Sequence, residues 1–443
     1  MPDQSNGIAP KNIYFGFMKK KANENTGKIS RSEALTRMGA VAAGVPFING
    51  TLNSLVTPEP DRHTDKALKN PILAKAIAEL EYLTPADKFI VQRRGNPVLT
   101  EIPMEKLASI GLTPGTWKME IVADPDSNSE IGNPISIEKG NAFTWDDLMK
   151  MAETKSVRYL HALTCTNSPK LYGMGLWEGV PLREIFWKTL PKQNIRRIYF
   201  HGYHNNDEKQ IFRASLPISK VLEEAPGELP VIVAYKLNGK PISHANGGPV
   251  RLFVPGYYSN RSIKWLQKIT VTNSYHANDT YAEANNDVEG PVKTCARFIH
   301  TPVTARSGED FAITGFAQVG SSGLGKVQYW IHPAGKLPGD DPYFTKGDWR
   351  DAIVLPPPPK WGSDLPDGKL PDVLQFDPET GRPFTWPVIN TIVHWAVLAK
   401  ADTAGEFEIR CRTIDANGIA QPMPRPFGRS GYNRIDVKNL IVH

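Results

Sequence analysis

From about residue 300 onward, most of the chain consists of segments in which apolar and polar residues alternate. A strand that faces a core on one side and solvent on the other has this period of two, and a series of such strands is typical of an antiparallel sandwich. A Pro/Gly-rich excursion that includes Pro356–Pro359 predicts an irregular surface loop between the second and third strands. The predicted strands are Phe311–Val319, Lys326–His332, Thr391–Lys400, Phe407–Ile414 and Arg434–Val442.

Between residues 70 and 299 the pattern becomes a mixture of helical and strand-like spacings. Pro71–Leu83 has apolar residues at helical spacing, and Thr144–Glu153 opens with a threonine and, three residues later, an aspartate, the pair that caps a helix N-terminus. The apolar run Phe89–Val91 predicts a short strand, and Asn238–Gly239 predicts a hairpin turn.

The length of 443 residues is sufficient for two domains. We therefore predict an α+β protein, with a mixed α/β domain over residues 70–299 and an immunoglobulin-like β-sandwich over residues 300–443. The sequence of the second half shows no catalytic cluster of its own. We expect that half to support the first domain or to pair subunits.

Residues 1–69 are predicted to form an N-terminal tail. Lys19–Lys21 precede the segment KISRSEALTRMG and the short apolar run Ala40–Ile48, an order that resembles a twin-arginine export signal. The motif is degenerate, because Ser32 stands where the second arginine is expected. We expect export to the periplasm. The alternative is a cytosolic N-terminal helix, since the same segment is compatible with helix formation.

The stretch Leu160–Lys170, with sequence LHALTCTNSPK, places Cys165 where a strand gives way to a polar loop. Loops that follow strands often carry functional side chains, although a single cysteine is more commonly a small buried apolar residue. The other cysteines are Cys295, whose role is left open, and Cys411, which lies in an alternating run. Because no CxxC, CxxCH or paired Cys/His spacing occurs, the sequence argues against zinc and covalently attached haem.

The formal net charge is +6, and no dense run of Lys and Arg is interleaved with aromatic residues. The sequence therefore does not favour a nucleic-acid-binding function. A cationic pocket for a small anion explains part of the excess positive charge equally well.

Three stretches of the chain are similar to the sulfite oxidase family of molybdenum enzymes. Residues 249–269, PVRLFVPGYYSNRSIKWLQKI, carry the most specific match. The second matching stretch is LTCTN together with the following WEGVPLREI. The third is FEIRCRTIDANGIAQP at residues 407–422. The resemblance covers about residues 70–443, and the segment NDTY at Asn278–Tyr281 is similar to the bacterial sulfite or sulfane dehydrogenase branch.

This resemblance implies a molybdenum–molybdopterin cofactor with Cys165 as the single protein ligand to the metal. A thiolate suits a soft metal site, and metal coordination removes the thiol proton. The remaining predicted cofactor contacts occupy positions that match the family's cofactor-binding residues: Phe89, Gln92, Arg93, His204, Asn246, Arg251, Ser262, Ile263 and Lys264. Two of these differ from the family pattern, because Asn246 replaces a histidine and His204 replaces an aspartate.

The resemblance also implies cations near the metal, since sulfur oxyanions are negative. Lys170 follows Cys165 by five positions, where sulfite-oxidising members commonly carry an arginine. The run Phe89-Ile-Val-Gln-Arg-Arg shifts the family's active-site arginine by one, so either Arg93 or Arg94 could serve. Tyr281 and Arg429 are the other predicted catalytic residues.

The implied reaction is oxygen-atom transfer to a small sulfur oxyanion such as sulfite. Since no haem motif occurs, we expect electrons to pass to a separate acceptor such as a c-type cytochrome, and the second domain implies a homodimer or heterodimer. No membrane span is expected. Two alternatives stay open: a sulfoxide reductase of the same fold, and a non-catalytic scaffold or partner subunit that has lost activity.

Overall fold

The computed structural model describes residues 62–93, 98–166, 168, 170–203, 213–276, 290–335, 341, 344–422, 431 and 433–443. The proposed export segment, including Lys19–Lys21, Ser32 and Ala40–Ile48, lies outside these residues. The described structure consists mostly of strands, with short helices between some of them. The helices are α1 (Arg62–Leu68), α2 (Pro71–Ala78), α3 (Met104–Leu107), α4 (Trp145–Lys155), α5 (Leu182–Phe186) and α6 (Ile218–Leu222).

The first half contributes the strands of two sheets. These strands are β1 (Lys118–Ala123), β2 (Phe143–Thr144), β3 (Val157–Thr164), β4 (Leu171–Pro181), β5 (Arg197–Gly202), β6 (Arg213–Pro217), β7 (Ile232–Leu237), β8 (Lys240–Pro241), β9 (Arg251–Phe253) and β10 (Leu266–Thr272). The mixed sheet has the order β2-β1-β10-β5-β6, with β1 and β10 parallel. The cysteine sheet, which we name for the residue after β3, has the order β3-β4-β7-β8, with β9 paired to β7.

The second half contributes two further sheets. Its strands are β11 (Cys295–His300), β12 (Thr304–Ala305), β13 (Asp310–Gln318), β14 (Lys326–Pro333), β15 (Arg350–Asp351), β16 (Ile353–Val354), β17 (Ile392–Lys400), β18 (Gly405–Ile414) and β19 (Asp436–Val442). The inner sandwich sheet has the order β11-β13-β17-β16, and the outer sandwich sheet has the order β12-β19-β18-β14-β15. Buried residues of both sheets form one hydrophobic core, so the two sheets pack face to face.

The predicted mixture of helices and strands is confirmed, and several local predictions hold in detail. Thr144 caps α4, with its hydroxyl accepting from the Asp147 backbone N–H while the Asp147 carboxylate accepts from the Thr144 N–H. Asn238 and Gly239 both have positive φ, as the turn between β7 and β8 requires. The immunoglobulin-like topology and the boundary near residue 300 stay predictions.

Near strand β4, one local prediction was wrong and the strand itself was not predicted. Phe89–Val91 forms no strand, although the Ile90 N–H donates to the Tyr172 carbonyl. Strand β4 itself was not predicted, because its glycines lower strand propensity. The structure gives the reason for Gly173: a Cβ atom there would lie 2.4 Å from the Phe89 ring. The aromatic ring occupies the space that a side chain on this strand would need.

The inner sandwich sheet has a second packing face, directed at the first half of the chain. Ile392 of β17 shares a hydrophobic cluster with Leu160 of β3 and Leu176 of β4. Backbone bonds cross the same boundary, since the Ala162 N–H donates to the Asn390 carbonyl. The end of β3 is therefore enclosed by residues from both halves.

We predict that Gly173→Ala destabilises the protein, because the added methyl group would overlap the buried Phe89 ring. Overpacking of this kind costs about 1–3 kcal/mol in the free energy of unfolding, measurable by urea titration. Gly115→Ala is the control, since nothing lies within 4 Å of its Cβ position. Combining Gly173→Ala with Phe89→Leu should cost less than the sum of the single changes. Strict additivity would contradict the proposed overlap.

Candidate functional site

Cys165 directly follows β3, at the boundary between the two halves. Its side chain is half-buried and packs against the cluster that contains Phe89 and Trp177. The same thiol lines a small pocket together with Thr164, Ser168 and Lys170 from the first half. Lys170 is exposed, and its backbone N–H donates to the Ser168 hydroxyl at 3.2 Å. The thiol is thus accessible from a pocket rather than sealed within apolar packing.

The opposite wall of this pocket comes from the inner sandwich sheet. Cys295 and Arg297 of β11, and Phe316 and Gln318 of β13, line it. Tyr258, from the loop after β9, completes the lining. Arg297 was not predicted as a site residue, although the alternation in TCARF places it on the same strand face as Cys295. No sequence pattern indicates that this face would meet the end of β3.

A buried cationic cluster lies in the segment with the strongest family resemblance. Arg251 is 3% exposed, and its Nη1 and Nη2 atoms each donate at 2.8 Å, to the carbonyls of Asn246 and Ser262. Its Nε atom is buried and has no hydrogen-bond partner in the described residues. Burial lowers the pKa of Arg251 to about 9. The guanidinium also lies 5.2 Å from the centre of the Trp177 ring.

Lys264 is the second cation of this cluster. Its Nζ donates to the Ala245 carbonyl at 2.7 Å, and its stem packs so closely that a Cβ atom at Gly247 would lie 2.6 Å from it. Burial, with a smaller effect from the positive charge of Arg251, lowers the pKa of Lys264 to about 7. Within the described ranges, neither cation forms an ion pair with a carboxylate. Such a cluster is suited to binding an anion.

Asn246 and Ser262 hold the cluster in place rather than extending it. The Asn246 amide donates to the Ala86 carbonyl at 2.9 Å, which fixes the loop to the segment before Phe89. The Ser262 hydroxyl accepts from the Val254 N–H at 3.0 Å. Ile263 is buried in the core of the first half. The structure therefore brings Asn246, Arg251, Ser262, Ile263 and Lys264 into one region.

Phe89 connects this region to the Cys165 side. Its ring meets the Trp177 ring edge to face, with centroids 6.0 Å apart. Because Trp177 also contacts the Arg251 guanidinium, one aromatic cluster lies against both the cation and the thiol.

Other predicted site residues are placed elsewhere or fall outside the description. Gln92 and Arg93 are exposed, and the Arg93 guanidinium pairs with Glu101 at the surface. Arg94, His204, Tyr281 and Arg429 lie outside the described residues. In this structure Arg93 is therefore a surface residue.

His161 fixes the loop that carries Tyr258 to strand β3. Its Nδ1 bonds the Ala162 carbonyl at 2.7 Å, and its Nε2 accepts from the Gly256 N–H at 2.8 Å. These two bonds require the neutral imidazole with its proton on Nδ1. Complete burial lowers the pKa of His161 to about 4.

Residues 123–280 match the model of a protein family described as the oxidoreductase molybdopterin binding domain. Human mitochondrial sulfite oxidase is 32% identical over 224 residues, which are 48% of this chain and 39% of the relative. Over these residues the chain is similar to the sulfite oxidase family of molybdopterin-dependent oxidoreductases.

A nitrate reductase from Fusarium oxysporum is 35% identical over 109 residues, 24% of this chain and 12% of the relative. The chain thus spans well under half the length of these curated relatives. The crystal structure of the sulfane dehydrogenase SoxCD from Paracoccus pantotrophus has a TM-score of 0.54 at 14% identity, and covers 88% of this chain and 92% of that one. This likeness shows a shared fold.

The residues present fit a molybdopterin cofactor carrying molybdenum, which the family implies. The buried Nε of Arg251 suits an anionic group, as do the two cations, which have no carboxylate partner in the part of the chain that the structure describes. The half-buried thiol supplies a soft donor. Among the described residues, no cluster of His, Cys, Asp and Glu is arranged to hold a metal by several protein ligands.

No helix in the described part of the chain is long and apolar enough to cross a bilayer.

We predict that stability falls as the pH drops from 7 to 5. The pKa of His161 lies near 4 in the folded protein and near 6.5 when unfolded, so the unfolded chain binds more protons over this interval. Its contribution is present above pH 6.5 and is lost towards pH 4, by about 2 kcal/mol between pH 7 and 5. His394, whose burial also lowers its pKa to about 4, adds a similar loss.

The measurement is the free energy of unfolding in urea at pH 7 and pH 5. His161→Gln should remove about half of the pH dependence, whereas His300→Gln, at an exposed position, should leave it unchanged. An unaltered pH dependence in His161→Gln would contradict the assignment of a buried neutral imidazole.

Proposed function

We propose that this protein catalyses oxygen-atom transfer to a small sulfur oxyanion such as sulfite. The observation that carries the proposal is the half-buried Cys165 thiol in a pocket lined by Lys170 and Arg297, packed on the same aromatic cluster whose Trp177 ring contacts the Arg251 guanidinium. The Cys165 thiol suits a soft metal. The cationic side chains suit anions. The molybdenum cofactor, when bound, supplies two-electron oxygen-atom transfer chemistry.

In this proposal some residues of the chain bind the cofactor and others bind the substrate. Cys165 provides the thiolate ligand to the metal. Arg251 and Lys264 bind the negatively charged part of the cofactor, while Asn246 and Ser262 hold that loop through their backbone and side-chain bonds. The aromatic rings of Phe89 and Trp177 separate these cations from bulk water, which strengthens their attraction for an anion.

Lys170 stands at the exposed side of the pocket and draws in a negatively charged substrate. As an ammonium group on a flexible stem, it offers charge without the two-point geometry of an arginine. Arg94, Tyr281 and Arg429 are proposed to contribute from outside the described residues, as the family resemblance implies. For Arg93 to bind the substrate or the cofactor, its guanidinium would have to leave its surface ion pair with Glu101.

The wider setting is also part of the proposal. Electrons pass to a separate acceptor such as a c-type cytochrome, the protein acts in the periplasm after export, and the second half is an immunoglobulin-like domain through which chains pair. The fold shared with a sulfane dehydrogenase supports this setting.

Nitrate reduction is a second candidate. It is favoured by the nitrate reductase relative, which is 35% identical over 109 residues. Nitrate is also a small oxyanion and would enter the same cationic pocket.

Three assays of the purified protein separate the candidate functions. Sulfite with ferricyanide tests the proposed function, nitrate with a reduced dye tests nitrate reduction, and methionine sulfoxide tests a sulfoxide reductase. Activity only with methionine sulfoxide would contradict the anionic substrate.

We predict that Cys165→Ser reduces turnover at least about 100-fold while leaving the fold intact, because serine is nearly isosteric but a harder ligand. The absorption band from thiolate-to-molybdenum charge transfer should disappear in the same variant. Cys295→Ser, which changes a neighbouring thiol of the same pocket, should keep that band. Loss of the band in Cys295→Ser but not in Cys165→Ser would refute the ligand assignment.

We further predict opposite effects of Lys264→Gln on stability and on cofactor content. Removing this half-buried charge, which has no carboxylate partner within the described ranges, should stabilise the cofactor-free protein by about 1–3 kcal/mol. The same change should lower the pterin and molybdenum content of the purified protein. Lys268→Gln, an exposed neighbour, should alter neither quantity. A cofactor content equal to that of the wild type would show that Lys264 does not bind the cofactor.

A further inference from the structure

Two cysteines line the pocket between the two halves of the chain. Cys165 lies directly after β3, and Cys295 is the first residue of β11, on the opposite wall. Ala296 points into the sandwich core, so Cys295, which precedes it in the strand, points the other way. The cavity has a volume of about 10 Å³, which is room for about one water molecule. The two cysteines therefore lie on opposite sides of a narrow gap.

Gly256 holds the two chain segments beside each other. Its N–H donates to the His161 Nε2 atom at 2.8 Å, and its carbonyl accepts from the Val292 N–H at 2.9 Å. His161 precedes Cys165 by four residues. Val292 precedes Cys295 by three residues. Because one residue bonds both segments, these hydrogen bonds bring the end of β3 and the start of β11 together, independently of which residues line the cavity.

Both cysteines stand at strand ends, where the backbone is less constrained than inside a sheet. Cys165 lies one residue beyond the last pair of β3 and β4, which joins Thr164 to Leu171 after a shift in register. Cys295 forms the first pair of β11 and β13, with Gln318. A disulfide requires Cα atoms about 4.4–6.8 Å apart. Rotation of the side chains and a small movement of the loop after β3 would close a gap of one water molecule to this separation.

The two thiols differ in exposure, and the third cysteine is placed elsewhere. Cys165 is half-buried, whereas Cys295 is 5% exposed. Cys411 is fully buried in the sandwich core together with Ala296, on the side of β11 that faces away from the cavity. An oxidant that enters from solvent therefore reaches Cys165 first, and Cys295 is the thiol across the gap.

We propose that Cys165 and Cys295 form a modification site, at which hydrogen peroxide generates a disulfide in the cofactor-free protein. The Cys165 thiolate attacks one peroxide oxygen, the O–O bond breaks, and Cys165 becomes a sulfenic acid while one water leaves. The Cys295 sulfur then attacks the Cys165 sulfur, the S–O bond breaks, and the hydroxyl group leaves as a second water with the Cys295 proton. The two sulfurs together lose two electrons, which reduce the peroxide.

This disulfide occupies the Cys165 sulfur, which then cannot bind a metal. The bond itself depends only on the two thiols, whereas its effect on cofactor insertion rests on the proposed function, in which Cys165 is the molybdenum ligand. The bond also protects Cys165, because a sulfenic acid without a neighbouring thiol is oxidised further and irreversibly. A dithiol reductant reverses the disulfide and restores the ligand.

The test treats the full-length protein, produced without molybdate, with hydrogen peroxide. Free thiols titrated in urea should fall from three to one, with Cys411 left reduced. Digestion with trypsin under non-reducing conditions should give residues 159–170 joined to residues 294–297, and dithiothreitol should separate the two peptides. A disulfide to Cys411, or folded protein that keeps all three thiols, would overturn the inference.

Two variants separate the proposed pair from general oxidation. Cys411→Ala keeps both thiols of the cavity, so the linked peptide should form at a rate within about twofold of wild type. Cys295→Ser has no second thiol, so over-oxidation of Cys165 to the sulfinic acid should rise about 10-fold or more. If a variant does not fold, the peptide map of the wild type decides alone. Equal over-oxidation of Cys165 in wild type and folded Cys295→Ser would contradict the pairing.

The molybdenum-loaded protein distinguishes failure of this inference from failure of the proposed function. With the Cys165 sulfur bound to the metal, peroxide should leave Cys165 and Cys295 unlinked. If the linked peptide forms equally in molybdenum-loaded and cofactor-free protein, the disulfide stands and the ligand assignment of the proposed function is wrong. If the linked peptide forms in neither sample, the disulfide is wrong and the ligand assignment is unaffected.

Discussion

Two cationic side chains, the buried Arg251 and the half-buried Lys264, have no carboxylate partner among the described residues, and they impose the strongest physical constraint on this fold. Burial lowers the pKa of Arg251 to about 9 and, with a smaller effect from the Arg251 charge, lowers the pKa of Lys264 to about 7, so desolvation disfavours both charged forms. Main-chain carbonyls at Ala245, Asn246 and Ser262 offset part of this penalty. A bound anion would offset more, so the cluster is better explained as a binding site than as a stabilising feature of the core.

The rest of the first half can be understood as support for that cluster and for the thiol beside it. Strand β3 ends at Thr164, which leaves Cys165 at the edge of the cysteine sheet. Gly173 and Gly175 leave room for the Phe89 ring, which packs edge to face on the Trp177 ring. His161 ties the strand to the loop after β9 through a bond that depends on its neutral form. Together these contacts fix the relative positions of the groups that we propose to bind cofactor and substrate.

Much of this arrangement could be predicted from local sequence patterns. The alternating strands, the Thr144 cap and the Asn238–Gly239 turn each depend on residues close together in the chain, and each is present in the structure. The segment from Arg251 to Lys264 was predicted to bind the cofactor from its resemblance to the family, and the structure brings these residues into one region. Strand β4 was missed because its glycines, unfavourable for strands in general, are required by a ring distant in sequence.

The pocket wall contributed by β11 and β13 could not be predicted for a related reason. Arg297 follows Thr164 by more than 130 positions, and only the packing of the inner sandwich sheet on the first half brings the two together. Conversely, Arg93 matched a family position nearly in register but lies at the surface with Glu101. Local similarity identifies which residues are candidates, whereas tertiary packing decides which of them meet.

The central claim is that a thiolate at Cys165 binds molybdenum while Arg251 and Lys264 bind the anionic part of its cofactor. Anomalous diffraction from crystals of the purified protein, recorded across the molybdenum absorption edge, tests this most directly. The account predicts a molybdenum peak within bonding distance of the Cys165 Sγ, with density for an anionic group between the two cations. A Cys165 sulfur without a metal neighbour, in crystals that contain molybdenum elsewhere in the chain, would contradict it.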